Sequence, residues 1–277
     1  MARKNTRSRK AYPPLAGVAR SAGGGPASNK FTQGLLQKTL LIKHCILPGF
    51  QQQVKSTDMK KNFLFITFCL FACGAFSQWD STHRPGSFRL KSELFESYPN
   101  SKKDIIFLGN SITAGVDWME LLGNRRARNR GISGDITFGV LERLGEVIEG
   151  HPAKVFILIG INDISRDIPD TVILSNYEKI VQRIKTSSPR TKIYIQTLMP
   201  VNSAFAKFKN HYNKDEHIKA VNDGLRALAQ QEHVTLVDLH PHFLDGEGRM
   251  KKAYTQDGLH LNAEGYKVWR DVLQQYL

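Results

Sequence analysis

Short, unbroken apolar runs that stop abruptly at small polar turns constrain this chain more than any other feature. Ile105-Ile106-Phe107-Leu108 runs into Gly109-Asn110-Ser111, and Val155-Phe156-Ile157-Leu158-Ile159 runs into Gly160-Ile161-Asn162-Asp163. A run of this kind has no solvent face, which suits a strand buried on both sides in a parallel sheet. Further strands are predicted at 127–130, 192–198 and 234–239, with the first two at 104–108 and 154–159. Helical spacing fills the intervals. Trp118 opens a short helix, and Phe138, Leu141, Leu144, Val147 and Ile148 share a face until His151-Pro152 ends it. Residues 170–187 and 215–231 are helical, and a last amphipathic helix starts from Asn262, a good N-cap. Strands alternating with helices predict an α/β domain built on a doubly wound parallel sheet. If its five strands lie in the order 2-1-3-4-5, the switch point falls beside Ser111, where open α/β sheets bind ligands.

The formal net charge of +14 belongs to the front of the chain. Residues 1–61 carry 12 Lys and Arg against one acid, Asp58, and the remainder is close to neutral. No nucleic-acid partner is therefore inferred for the domain. Residues 1–58 lack sustained hydrophobic periodicity and read as a disordered basic extension. Met59-Lys60-Lys61 is followed by an uncharged apolar stretch, 63–74, and then by Ala75-Phe76-Ser77. A basic start, a short apolar core and a small-x-small end are the parts of a secretory signal peptide, and the apolar core is shorter than a membrane span. The expectation is that translation starts at Met59, that 59–77 is the signal peptide and that 78–277 is a secreted or periplasmic domain. An organelle transit peptide explains the Arg-rich front but not this second signal. Leu70-Phe71-Ala72-Cys73 offers lipidation at Cys73 as a less favoured alternative, because Phe71 is bulky for a lipobox. Cys45, Cys69 and Cys73 all precede the domain, which must be held by its core without disulfides or Cys-bound metal.

Four turns carry candidate chemistry: Ser111, Gly134, Asn162 and the Asp257-Gly258-Leu259-His260 segment. Acyl transfer needs an attacking hydroxyl, an imidazole to take its proton, a carboxylate to orient the imidazole, and N–H donors for the developing oxyanion. Ser111, His260 and Asp257 can fill the first three roles. The blocks Gly109-Asn110-Ser111, Gly131-Ile132-Ser133-Gly134-Asp135, Gly160-Ile161-Asn162-Asp163 and Asp257-Gly258-Leu259-His260, in this order, resemble the SGNH (GDSL-like) hydrolase family over about residues 100–275. The turn Gly-Ile-Ser-Gly-Asp-Ile-Thr and the Leu-Glu-Arg-Leu that follows most resemble platelet-activating-factor acetylhydrolase catalytic subunits and related bacterial esterases. The resemblance implies a flavodoxin-like three-layer α/β/α sandwich and hydrolysis of carboxylic esters without metal or organic cofactor. It makes Ser111 the nucleophile, His260 the base and Asp257 the orienting acid, with Ser111, Gly134 and Asn162 as oxyanion donors.

Asn110 departs from the family pattern, which has Asp there. The Gly-x-Ser-x-Gly elbow of α/β-hydrolases is absent, because Thr113 stands at its last glycine. Asp163 is expected to be a local partner in an Asx turn. Asp238-x-His240-x-His242 is read as surface residues rather than a metal site, since Pro241 interrupts a strand. Arg125-Arg126-Ala127-Arg128-Asn129-Arg130 is read as a solvated basic loop, the alternative being contact with an acidic sugar or phospholipid head. Trp118 is expected in the core rather than in a pocket wall. The preferred substrate is a short acyl ester, an O-acetyl group on a carbohydrate. A lysophospholipase or thioesterase for longer chains and a catalytically silent sugar-binding module are the alternatives. The irregular stretch 201–214 is expected to line the pocket.

Overall fold

The computed structural model describes residues 79–277. The basic extension, the signal peptide, Met59 and Cys73 all lie outside the described residues. The first element is a helix missing from the sequence reading, α1 (Phe88–Ser97), inside what looked like a polar lead-in. Phe88 and Phe95 lie seven positions apart, hence on one face, and form a small second core with Ile132.

Strand β1 (Ile105–Gly109) is followed by the short helices α2 (Ser111–Ala114) and α3 (Trp118–Leu122) and by β2 (Ala127–Gly131). The single helix predicted after β2 is two, α4 (Thr137–Glu142) and α5 (Leu144–Ile148). The break is at Arg143, whose side chain turns into the core. Then come β3 (Lys154–Leu158), α6 (Ile161–Ile164), α7 (Asp170–Ser187), β4 (Lys192–Gln196) and α8 (Asp215–Gln231). The chain finishes with β5 (Thr235–Val237), α9 (His240–Phe243) and α10 (Ala263–Leu273). Strands β4 and β5 are shorter than predicted. The Asn262 side chain caps α10 by accepting from the Gly265 amide.

All neighbouring strands are parallel, in the order β2-β1-β3-β4-β5. Register aligns Phe107, Phe156 and Tyr194 across β1, β3 and β4, and the three rings stack at centroid separations of 5.0 and 4.3 Å. Trp118 lies flat on Phe107 at 3.9 Å and meets Trp269 of α10 edge-on, which places it in the core as expected. Helices α3 and α10 thus pack together on one face of the sheet. The crossovers after β2, β3 and β4 place α4, α5, α7 and α8 in the other helical layer, where Ile173, Tyr177, Ile180, Val181 and Ile184 form the buried stripe of α7. Right-handed crossovers require this change of face when the strand order reverses at β1. The architecture is therefore the expected three-layer sandwich. The turns after β1, β2 and β3 leave the same edge of the sheet, and Ser111 stands between the other two.

Candidate active site

Ser111 opens α2 directly after β1, and the Asn110 side chain accepts from the Ile112 amide to cap that helix. The Asp expected at position 110 from the family would make the same cap, so Asn110 preserves the turn; its Nδ2 is buried without a partner. Tyr266 of α10 donates to the Ile112 carbonyl at 2.8 Å and ties the turn to the C-terminal helix.

The Ser111 hydroxyl lies 2.9 Å from His260 Nε2, and His260 Nδ1 lies 2.9 Å from Asp257 Oδ2. The other Asp257 oxygen accepts from the backbone amides of Leu259 and His260 at 3.0 and 2.7 Å. Burial pushes the Asp257 carboxyl up, but the His260 amide and ring and the Leu259 amide outweigh it, and the pKa is lowered. An ionised Asp257 fixes the proton of the imidazole on Nδ1 and leaves the Nε2 lone pair toward Ser111. The loop is shaped by Gly258, at φ +84°, where a side chain would collide with the Asn202 carbonyl. Thr255 Oγ1 accepts from the Gly258 amide and donates to the His260 carbonyl, while Tyr212 donates to the Asp257 carbonyl. About a quarter of the His260 side chain is exposed, so a solute can reach it.

The other two sequence-picked residues lie together. Asn162, on α6, donates through Nδ2 to the Asp135 carbonyl at 2.9 Å, which sets its amide against the Asp135–Ile136 peptide, one residue beyond Gly134. Gly134 has φ +80° and packs under Pro85. Among the described residues its N–H meets no acceptor, and the Ser111 N–H, at the first position of α2, has no intrahelical acceptor. One amide hydrogen of Asn162 and these two N–H groups are thus free for a ligand.

His211 was missed by the sequence reading. Its Nε2 lies 3.1 Å from Asn162 Oδ1; as that oxygen can only accept, Nε2 carries the proton. Its Nδ1 is buried without a partner, and burial, then the His260 and Arg166 charges, depress the pKa to about 4. The imidazole is neutral near pH 7, and it fixes which end of the Asn162 amide faces outward. No spacing signal marks His211; it lies in the 201–214 stretch, on a single 3₁₀ turn, Lys209–His211. Phe208 from the same stretch sets its ring edge-on to His260 at 5.1 Å, so this segment lines the site as expected.

A buried ionic network supports the Gly134 side of the site. Arg143 pairs with Asp135 at 2.9 Å and donates to the carbonyls of Gly109 and Arg130, and Arg130 pairs with Glu146 at 2.8 Å. This corrects the reading of 125–130 as a solvated loop: Arg130 is in β2 and buried, and Arg128 pairs with Asp104. Asp163 is also not a local turn former. It is fully buried and accepts from the amide and hydroxyl of Thr137, joining the turns after β2 and β3. The Asp238 carboxylate pairs with Arg226, while the His240 ring meets the Leu198 carbonyl and Asn222; Thr197 Oγ1 links the two residues by donating to Asp238 and accepting from the His240 amide. Among the described residues, no cluster of His, Cys, Asp and Glu is arranged to hold a metal ion.

The sequence pattern of the GDSL-like lipase/acylhydrolase family matches residues 107–268, more than half of the chain and all four turns. Platelet-activating factor acetylhydrolase IB subunit alpha2 of Rattus norvegicus is 28% identical over 173 residues, covering 60% of this chain and 72% of the relative. The Gallus gallus alpha2 subunit is 26% identical over 195 residues, 68% of this chain and 79% of its own. Among solved structures, a Streptococcus pneumonia protein described as a candidate platelet activating factor aligns with TM-score 0.64 at 29% identity, covering 79% of this chain and 98% of its own. The acetyl xylan esterase AlAXEase shares the fold at TM-score 0.54 and 22% identity, covering 63% of this chain and 99% of its own.

Proposed function

This chain belongs to the GDSL-like lipase/acylhydrolase family of carboxylic ester hydrolases, and we propose that it is a serine esterase that removes short acyl groups, foremost O-acetyl groups on carbohydrates. The observation that carries the reading is the continuous chain Ser111–His260–Asp257, with both links at 2.9 Å. His260 takes the Ser111 proton as Oγ attacks the ester carbonyl, and the charge on the carbonyl oxygen falls to the N–H groups of Ser111, Gly134 and Asn162. The tetrahedral intermediate expels the alcohol, which leaves with the proton from His260. Water then attacks the acyl-enzyme with His260 again as base, the carboxylic acid is released and Ser111 regains its proton.

The short acyl group is supported by the acetylhydrolase subunits named above, which are relatives at 28% identity. The carbohydrate preference rests on export: a domain released behind the signal at 59–77 would meet surface polysaccharide first. No helix among the described residues is long and apolar enough to cross a membrane.

The test is hydrolysis of nitrophenyl esters from acetate to decanoate by wild type and Ser111→Ala. Acetate should be the best substrate, and Ser111→Ala should lose turnover by a factor on the order of 10⁶. Equal rates in the two proteins would end the catalytic reading and leave a sugar-binding module. A decanoate optimum would replace the short-acyl reading with the long-chain one.

A further inference from the structure

The cavity beside His260 carries charge that hydrolysis of a neutral ester does not use. Its volume is about 430 Å³, and its walls include Arg166, Lys207, Phe208, Lys209 and His211. It adjoins the site on two sides, through the Phe208 ring against His260 and through the His211 bond to Asn162. Arg166 is four positions beyond Asn162, just after α6, while Lys207 and Lys209 flank Phe208.

Elsewhere in the domain several guanidinium groups are matched, Arg128 with Asp104, Arg130 with Glu146, Arg143 with Asp135 and Arg226 with Asp238, while Arg125, Arg126, Arg183 and Arg190 have no carboxylate partner among the described residues. What sets Arg166, Lys207 and Lys209 apart is the cavity they share beside His260. Among the described residues, Arg166, Lys207 and Lys209 have neither a carboxylate within ion-pair distance nor a side-chain hydrogen bond. Nearby acids are otherwise engaged. Asp167 pairs with Lys214, and Asp163 is buried against Thr137. Asp80, bonded to Thr82, lies within electrostatic range of Arg166 but forms no pair with it. The Arg166 charge is also felt by His83 on the lead-in, which covers the Gly134 side of the site, and by His211 opposite. Three like charges around a small cavity repel one another, and an anion placed among them relieves that repulsion and is drawn in by the combined field.

We propose that this cavity is an anion-binding subsite, and that the ester cleaved at Ser111 carries a carboxylate or a phosphate on the part lying against Arg166, Lys207 and Lys209. The proposal rests on the esterase reading of Ser111 and names its substrate class, a short acyl ester of an alcohol that carries an acidic group. The basic run at 125–130, which the sequence offered for this task, is spent on structure. The charges that face the site come from two separate segments.

Matched substrates test it. Acetylated methyl glucuronide is compared with acetylated methyl glucoside, and acetylglycerol phosphate with acetylglycerol, at low salt and at about 0.5 M NaCl. Wild type should favour the acidic member of at least one pair by about tenfold or more in kcat/KM, and salt should erase most of the preference. The pair that responds tells carboxylate from phosphate. In the triple variant Arg166→Gln/Lys207→Gln/Lys209→Gln, the acidic-to-neutral ratio should fall toward one. All three side chains are exposed, so the substitutions remove no core packing. A ratio near one for both pairs in wild type, or an unchanged ratio in the triple variant, overturns the subsite. Absence of hydrolysis of every ester would instead sink the esterase reading. Binding of the acetylated glucuronide and acetylglycerol phosphate to Ser111→Ala, by calorimetry, then decides the subsite: weakening by about tenfold on adding the three Gln substitutions supports it, and equal affinity refutes it.

Discussion

Replacing His211 with Phe keeps a ring beside Phe208 but removes the N–H that holds Asn162 Oδ1 at 3.1 Å. Asn162 is then fixed only by its own donation to the Asp135 carbonyl, and Oδ1 remains in a buried residue without a donor. A neutral hydrogen bond contributes a net ~0.5–1.5 kcal/mol, which sets a floor of roughly 2- to 10-fold on the loss of kcat. If the amide rotates and the proposed oxyanion donor is lost altogether, the ceiling is ~2.7–4 kcal/mol, about 10²- to 10³-fold. The donor acts on charge that appears only in the transition state, so kcat should fall with KM nearly unchanged. The assay is nitrophenyl acetate hydrolysis by His211→Phe, Asn162→Ala and the double variant. His211 acts through Asn162, so in the Asn162→Ala background the second substitution should cost nothing further. His211→Gln, which keeps a side-chain N–H, should recover part of the rate. Wild-type kcat in His211→Phe, or losses that multiply in the double variant, would refute the coupling.

Two further predictions concern stability. Arg143→Ala leaves the Asp135 carboxylate buried and unpaired and removes one of the two donors to the Gly109 carbonyl, so unfolding in urea should show a loss of about 3–5 kcal/mol; a loss below about 1 kcal/mol would mean that the network is not holding the site edge. His211 gives a pH signature, because its folded pKa of about 4 lies below the ordinary 6.5. The unfolded chain takes up this proton first as pH falls, so the contribution is complete above 6.5 and is lost progressively down to about 4. Asp163, raised to about 6 by burial against its Thr137 bonds, slopes the other way and favours the fold as pH falls from about 6 toward 3.8. Comparison with His211→Gln isolates the histidine: between about pH 7 and 4.5, wild type should lose more Tm than the variant, and equal losses would refute the assignment.

The layers of the fold and the positions of Ser111, Gly134, Asn162, Asp257 and His260 could be read from the sequence. Runs such as 105–108 and 155–159 record burial on both faces within a few residues, and the turns that end them carry the reactive groups. That information is local. Helix α1 was less visible because it buries only Phe88 and Phe95 and leaves Leu90 and Leu94 exposed. The split between α4 and α5 was hidden because apolar spacing continues past Arg143, and only the distant Asp135 and Gly109 explain why the arginine turns inward.

Charge was the least legible property. Arg130 was read as part of a solvated loop and Arg143 carried no signal of burial; the burial of both was decided by Glu146 and Asp135, which compensate them where water is excluded. His211 belongs to a stretch without period, and its meeting with Asn162 spans 49 residues. The sequence by itself determined which side chains stand at the strand ends, because strand, turn and helix patterns are written in neighbouring residues. The tertiary structure alone decided that Ser111 and His260, 149 residues apart, stand 2.9 Å from each other. It also decided that three unpaired cations surround the cavity beside them. Parallel pairing gathers the strand ends at one edge, and neither a distance nor an unpaired charge exists until that packing is complete.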